Sequence, residues 1–100
     1  MKLKNSSKEF YSNFKENLIL SQKWPGIYMF KFILKSNKIK PDFFKKYFKK
    51  HRYSMIVKES SKKNYQSVTI KSKMDSPDEI INIYKDLSGI DEIIVLWFFF

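Results

Sequence analysis

No cysteine occurs in this 100-residue chain, which excludes a disulfide framework and a thiolate metal site. Histidine occurs once, as His51, and a lone imidazole makes no metal centre. Arginine also occurs once, as Arg52, against 19 lysines. The planar fork that grips phosphate and guanine in pairs is therefore almost unused, which weakens a nucleic-acid reading of the +10 net charge. Long apolar runs are missing too. The longest, residues 93–100, falls far short of the ~20 residues of a membrane span. Residues 1–14 hold no apolar run, so no signal peptide is expected and the chain reads as a soluble cytoplasmic protein. No internal repeat or low-complexity linker interrupts it.

What is present is lysine beside abundant Ile, Asn, Phe and Tyr, a mix that looks more like an AT-rich genome than a selected footprint. The charge is also polarised. Residues 1–50 carry 13 Lys against 3 acids, whereas residues 74–100 carry 1 Lys against 6. One end is thus acidic, and a nucleic acid would avoid it. One hundred residues make a single domain, able to bury roughly two thirds of the surface its unfolded chain exposes.

The stretch 60–96 organises the rest. Val68 and Ile70, two residues apart, have the period of a half-buried strand over 65–73. Ser76-Pro77-Asp78-Glu79 then reads as a capping box with proline at the first helical position. Ile80, Ile83, Tyr84 and Leu87 make one apolar helical stripe, Gly89 is expected to end the helix in the left-handed conformation, and 93–96 returns as a strand. Ahead of this, Ser6-Ser7-Lys8-Glu9 is a second capping box opening a helix over 7–21, with Tyr11, Phe14 and Leu18 on its stripe. Pro25 biases Trp24 away from helix. Residues 27–34 form the strongest strand, with Tyr28, Phe30, Phe32 and Leu34 facing the helices. Pro41 begins a further helix that buries Phe44, Tyr47 and Phe48, and 52–59 alternates as a strand. The order is α, then β-α-β-β-α-β. Right-handed crossovers predict a four-stranded antiparallel sheet in 4-1-3-2 order with two helices on one face, an α+β ferredoxin-like sandwich. Residues 1–23 form an N-terminal helical extension and 24–98 the core of a single domain, 1–100.

Little here promises catalysis. His51 suits a helix C-terminus, and Asp78-Glu79 suits a first helical turn. Asp91-Glu92 has no neighbouring base or nucleophile and reads as a solvated turn. No nucleophile–base pair assembles, so neither an enzyme nor a cofactor is expected. The polar loop Ser60-Ser61-Lys62-Lys63-Asn64 supplies the candidate ligand contacts: Ser60, Ser61, Lys62 and Asn64 can hold a phosphate or carboxylate, the bland alternative being a solvated hairpin turn. It is not a P-loop, since it lacks glycine and precedes a strand. An RNA-recognition domain shares the element order but needs aromatics on the open sheet face, and parity sends Tyr28, Phe30 and Phe32 the other way. An acylphosphatase would need an arginine cradle after the first strand, where 35–40 has neither Arg nor Gly.

The run from Ser60-Ser61-Lys62 to Val68-Thr69-Ile70 resembles the central signature of the YbeD-like family, small bacterial domains of unknown function. Ile83-Tyr84-Lys85-Asp86-Leu87 and Ile90-Asp91 fit the same pattern, and Trp24-Pro25 with Phe30-Lys31-Phe32-Ile33 resembles its Bacteroidetes-type version. The resemblance covers 22–96, with Lys63 standing where the family has Gly. It implies a ferredoxin-like fold similar to the ACT domains that regulate metabolic enzymes, and no catalytic residues. The glycine-containing ligand loop of ACT domains has no counterpart in 35–40, so the fold transfers better than the ligand.

The chain is therefore expected to be a non-enzymatic, ACT-like regulatory or interaction domain, acting through protein contact or a small ligand. A lysine-driven nucleic-acid binder is the alternative. Met29, Ile33 and Ile56 on the open sheet face exceed the apolar surface a small monomer shows in one place. The N-terminal helix or a second copy is expected to cover them, making a homodimer with Phe14, Leu18, Trp24, Ile33, Ile56, Trp97 and Phe98 at the interface.

Overall fold

Tyr28, Phe30, Phe32 and Leu34 alternate with Ile27, Met29, Lys31 and Ile33 along one strand, β1 (Gly26–Lys35), and only the first four are buried. That one-sidedness sets the architecture: a sheet with one face under helices and the other open. The computed structural model describes residues 8–35, 39–49, 51–60, 62 and 64–97, without the side chains of 8 and 95–97. Helix α1 (Lys8–Ser21) precedes β1; a 3-10 helix (Pro41–Tyr47), β2 (Tyr53–Glu59), β3 (Tyr65–Met74), α2 (Pro77–Ser88) and β4 (Ile93–Trp97) follow. The strands form one antiparallel sheet in the order β2-β3-β1-β4, the expected order read from the other edge.

The helices meet on the aromatic face of β1. Tyr84 of α2 lies 5.5 Å from Phe30 and 6.4 Å from Phe32, ring to ring, and its hydroxyl is 3.1 Å from that of Tyr28. Phe44 stacks on Phe32 at 4.8 Å with the planes 4° apart. Such stacking adds about 0.5–1.5 kcal/mol to the burial of the two rings.

Four local expectations need correction. The segment begun by Pro41 is a 3-10 helix, not an α-helix: the Phe43 and Phe48 amides bond the carbonyls three residues back, at 3.0 and 3.1 Å. The segment has no side-chain cap, and the buried Phe44 and Phe48 anchors hold the tighter turn. At the start of α2, Ser76 is extended as a cap residue should be, yet its hydroxyl makes no cap bond. Glu79 reaches back one residue further than expected and accepts from the Asp75 amide at 3.0 Å. At the other end, Gly89 is not left-handed (φ −87°, ψ 0°), because the helix closes through a right-handed turn from the Ile90 amide to the Leu87 carbonyl.

Helix α1 supplies the last correction. It does not lie over the open face. Phe14 and Leu18 are buried on the helix side, and the Phe14 ring meets Tyr84 at 5.8 Å. The aromatic cluster around Tyr84 offers the stripe a partner that the lysine-bearing face does not. Trp24 ties the helix end to β1 by donating from Nε1 to the Leu18 carbonyl at 2.9 Å. The chain then turns so tightly that a Cβ on Gly26 would lie 2.7 Å from the Lys23 carbonyl oxygen.

Candidate functional site

Residues directly opposed in an antiparallel pair project to the same face, so the register assembles the open surface row by row. Ile56, Thr69 and Lys31 form one row; Lys58, Ser67 and Ile33 the next; Ser54, Lys71 and Met29 another. Lys73 stands opposite Ile27, and Tyr65 opposite Lys35. These strands therefore set Lys31, Lys35, Lys58, Lys71 and Lys73 on one face without a single carboxylate between them.

The described carboxylates that form ion pairs are elsewhere. Lys15 pairs with Asp78 at 2.8 Å, Lys45 with Asp42 at 3.2 Å, and His51 Nε2 lies 3.1 Å from Glu79 Oε2, all beside the helices. None of the five sheet lysines has an ion-pair partner among the described residues. Aliphatic groups lie between them: Ile27 and Ile56 are 66% and 53% exposed, while Met29 and Ile33 are half-buried. The surface can attract anions at long range and still bury apolar groups on contact.

The face ends in two adjoining pockets that share Arg52 and Lys73. One, of about 460 Å3, adds Ile27, Tyr53, Ser54, Lys71 and Ser72. The other, of about 480 Å3, adds Pro25, His51 and Asp75. The backbone joins the two cations, since the Lys73 amide donates to the Arg52 carbonyl at 3.4 Å. A third cleft, of about 660 Å3, lies between the 3-10 helix and α2 and is lined by both signs of charge, among them Lys46, Glu79 and Asp86. Burial, then the nearby Asp86 carboxylate, raises the Tyr47 phenol there above its ordinary value. Among the described residues, no three His, Cys, Asp or Glu side chains come together as metal ligands would. No described helix is long and apolar enough to cross a membrane.

The polar hairpin loop joins β2 to β3 at the other end of this face. The Ser60 hydroxyl accepts from the Tyr65 amide at 3.2 Å, and the Ser60 amide donates to the Tyr65 carbonyl at 2.9 Å, so the serine closes the hairpin. Lys62 and Asn64 are exposed beside it, and Ser61 lies outside the described residues. Of the expected interface set, Ile33 and Ile56 stand on the open face, whereas Phe14 and Leu18 are core and Trp24 is engaged with α1. Trp97 pairs with Lys31 in the backbone register; its side chain and Phe98 lie outside the described residues. Arg52, Ser54 and Lys73 were not singled out from the sequence. Their signal was there in Lys71-Ser72-Lys73, whose lysines continue the parity of Thr69, and in the lone arginine placed immediately before β2.

No curated protein and no solved structure matches the chain. A family model matches residues 21–96, from the end of α1 through most of β4, and so takes in every residue of the basic face. On that match the chain belongs to the family described as "Protein of unknown function (DUF493)".

Proposed function

We propose that the protein is a non-enzymatic interaction domain whose open sheet face docks an acidic, amphipathic segment of a partner protein. One observation carries this reading: five lysines with no ion-pair partner among the described residues, interleaved with exposed isoleucines and no acid, on one continuous sheet face. A peptide alternating Glu or Asp with aliphatic residues matches both components. Two copies set face to face would oppose five lysines with five, so the surface is poorly self-complementary. Single-stranded nucleic acid would find the charge but few stacking platforms, since Tyr28, Phe30 and Phe32 are turned into the core.

We further read the element order as a ferredoxin-like sandwich of the ACT-like regulatory kind, of YbeD-like and Bacteroidetes-type origin, acting in the bacterial cytoplasm. The sheet order and the resemblance of 60–70 support that finer reading.

The test is an amide-resonance titration of the full chain with a peptide alternating glutamate and leucine, and with its glutamine counterpart. Saturable shifts at Lys31, Lys58, Thr69 and Lys71, lost in Lys31→Glu and weakened by salt, are expected for the glutamate peptide alone. Shifts confined to the helix side overturn the reading. A single-stranded RNA that binds the same amides more tightly replaces it with the nucleic-acid alternative, and concentration-dependent shifts without peptide replace it with a dimer.

A further inference from the structure

The sole arginine of a lysine-rich chain sits where two strands and two pockets meet. We propose that Arg52, Lys71 and Lys73, around the cavity of about 460 Å3, bind a phosphate monoester. The cavity volume falls within the range of small-molecule sites. Three cations line it, and none of them has an ion-pair partner among the described residues. A carboxylate would be satisfied by the guanidinium alone. A phosphate monoester, carrying up to two negative charges and three acceptor oxygens, uses the fork of Arg52 and both ammoniums.

The neutral lining suits the rest of such a ligand. Ser54 offers a hydroxyl on the open face, in the row of Lys71 and Met29. Exposed Ile27, opposite Lys73, provides apolar surface for the ester's organic part. Asp75 lines the adjoining pocket, which repels an anion and leaves the Lys71 side as its place. Backbone geometry limits how far the cations can separate, because the Lys73 amide bonds the Arg52 carbonyl at 3.4 Å. The site goes beyond the proposed docking of an acidic segment and stands without it.

The probes are phenyl phosphate, benzoate and sodium chloride at matched ionic strength, titrated against the full chain with amide resonances as readout. Phenyl phosphate should give saturable shifts at Arg52, Ser54, Lys71 and Lys73, and benzoate should bind about tenfold more weakly. Arg52→Gln should weaken phenyl phosphate by about tenfold, with Arg52→Lys intermediate because it keeps the charge and loses the fork. Lys23→Gln, the same charge change on an exposed residue outside the pocket, should leave it unaltered. Equal shifts with chloride, equal affinity for benzoate, or equal effects of Arg52→Gln and Lys23→Gln would overturn the site. A neutral peptide bearing one phosphoserine distinguishes the source. Tighter binding than phenyl phosphate assigns the phosphate to a modified protein chain, weaker binding to a free metabolite, and both outcomes support the site. Failure here leaves the acidic-peptide experiment intact, since that one also reads Lys31, Lys58 and Thr69, outside the pocket.

Discussion

Removing one hydroxyl from the core should change the pH profile of stability more than stability itself. Tyr84 is fully buried among Phe14, Tyr28, Phe30 and Phe32, with its hydroxyl 3.1 Å from that of Tyr28. Burial pushes its phenol well above the ordinary value, and the Tyr28 hydroxyl beside it adds to the rise. A folded-state value above the unfolded one means that the native protein holds this proton more tightly. The contribution is fully present below the unfolded phenol value of about 10 and is lost as pH rises from there toward the folded value, at about 1.4 kcal/mol per pH unit. At neutral pH, Tyr84→Phe loses one neutral hydrogen bond, about 1 kcal/mol. Above pH ~10 the wild type alone bears the Tyr84 titration, so the two stability curves should meet within roughly one pH unit. Urea midpoints at pH 7, 10 and 11 for both proteins measure this, and the tyrosines remote from Tyr84 cancel in the difference. Curves that stay parallel to pH 11 would refute the assignment of the alkaline limb to Tyr84.

Trp24→Phe should cost about 0.5–1 kcal/mol in urea unfolding without changing oligomeric state, because its Nε1–H bonds Leu18 while the Ser21 hydroxyl still satisfies that carbonyl at 2.8 Å. Altered association with unchanged stability would return Trp24 to an interface. Gly89→Ala should stabilise the fold by about 0.5 kcal/mol, since φ is negative and nothing lies within 4 Å of the added carbon; Gly26→Ala should destabilise it, and thermal midpoints moving the other way would contradict this geometry. Ser76→Ala should be nearly neutral, whereas Glu79→Ala should cost about 2 kcal/mol by releasing the Asp75 amide and His51 together; equal midpoint shifts for the two would restore the serine as the cap.

The sheet was legible because its signals are redundant. β1 declares its faces through four alternating aromatic and aliphatic residues, and β3 repeats the parity with Val68 and Ile70. The α2 boundaries were marked by Pro77 and Gly89, though not the bonds that close them. Whether Ser76 or Glu79 satisfies a free amide depends on one rotamer and a one-residue shift, which residue types do not encode. The partner of α1 was illegible for a different reason. A stripe of Tyr11, Phe14 and Leu18 fits any apolar surface, and only the assembled cluster around Tyr84 shows which surface remained to be filled. The candidate site was half visible: the open-face lysines followed from parity, but the pocket at their end needs β1, β2 and β3 in register before Ile27, Ser54 and Lys71 share a wall.

The placement of the acids bears on whether the lysine excess is more than composition. A genome rich in A and T raises lysine everywhere, but it gives no reason for acids to avoid one face. All ten acids lie off the open-face positions of β1, β2 and β3: on α1, the 3-10 helix, α2 and the flanking turns, with Glu59 ending β2 on the opposite parity. Near the helices, carboxylates neutralise lysines in pairs, as Asp78 does Lys15 and Asp42 does Lys45. On the open face the lysines repel one another, and nothing in the described chain relieves them. Such an arrangement discourages a second copy from adding to the face, and an anion that arrives recovers the repulsion as binding energy. The lone arginine lies at the end of that same face, where a fork is worth more than another point charge. Lysine in bulk can be accidental; the placement of the acids off the open face, with Arg52 at its end, is the observation on which the proposed docking of an acidic segment rests.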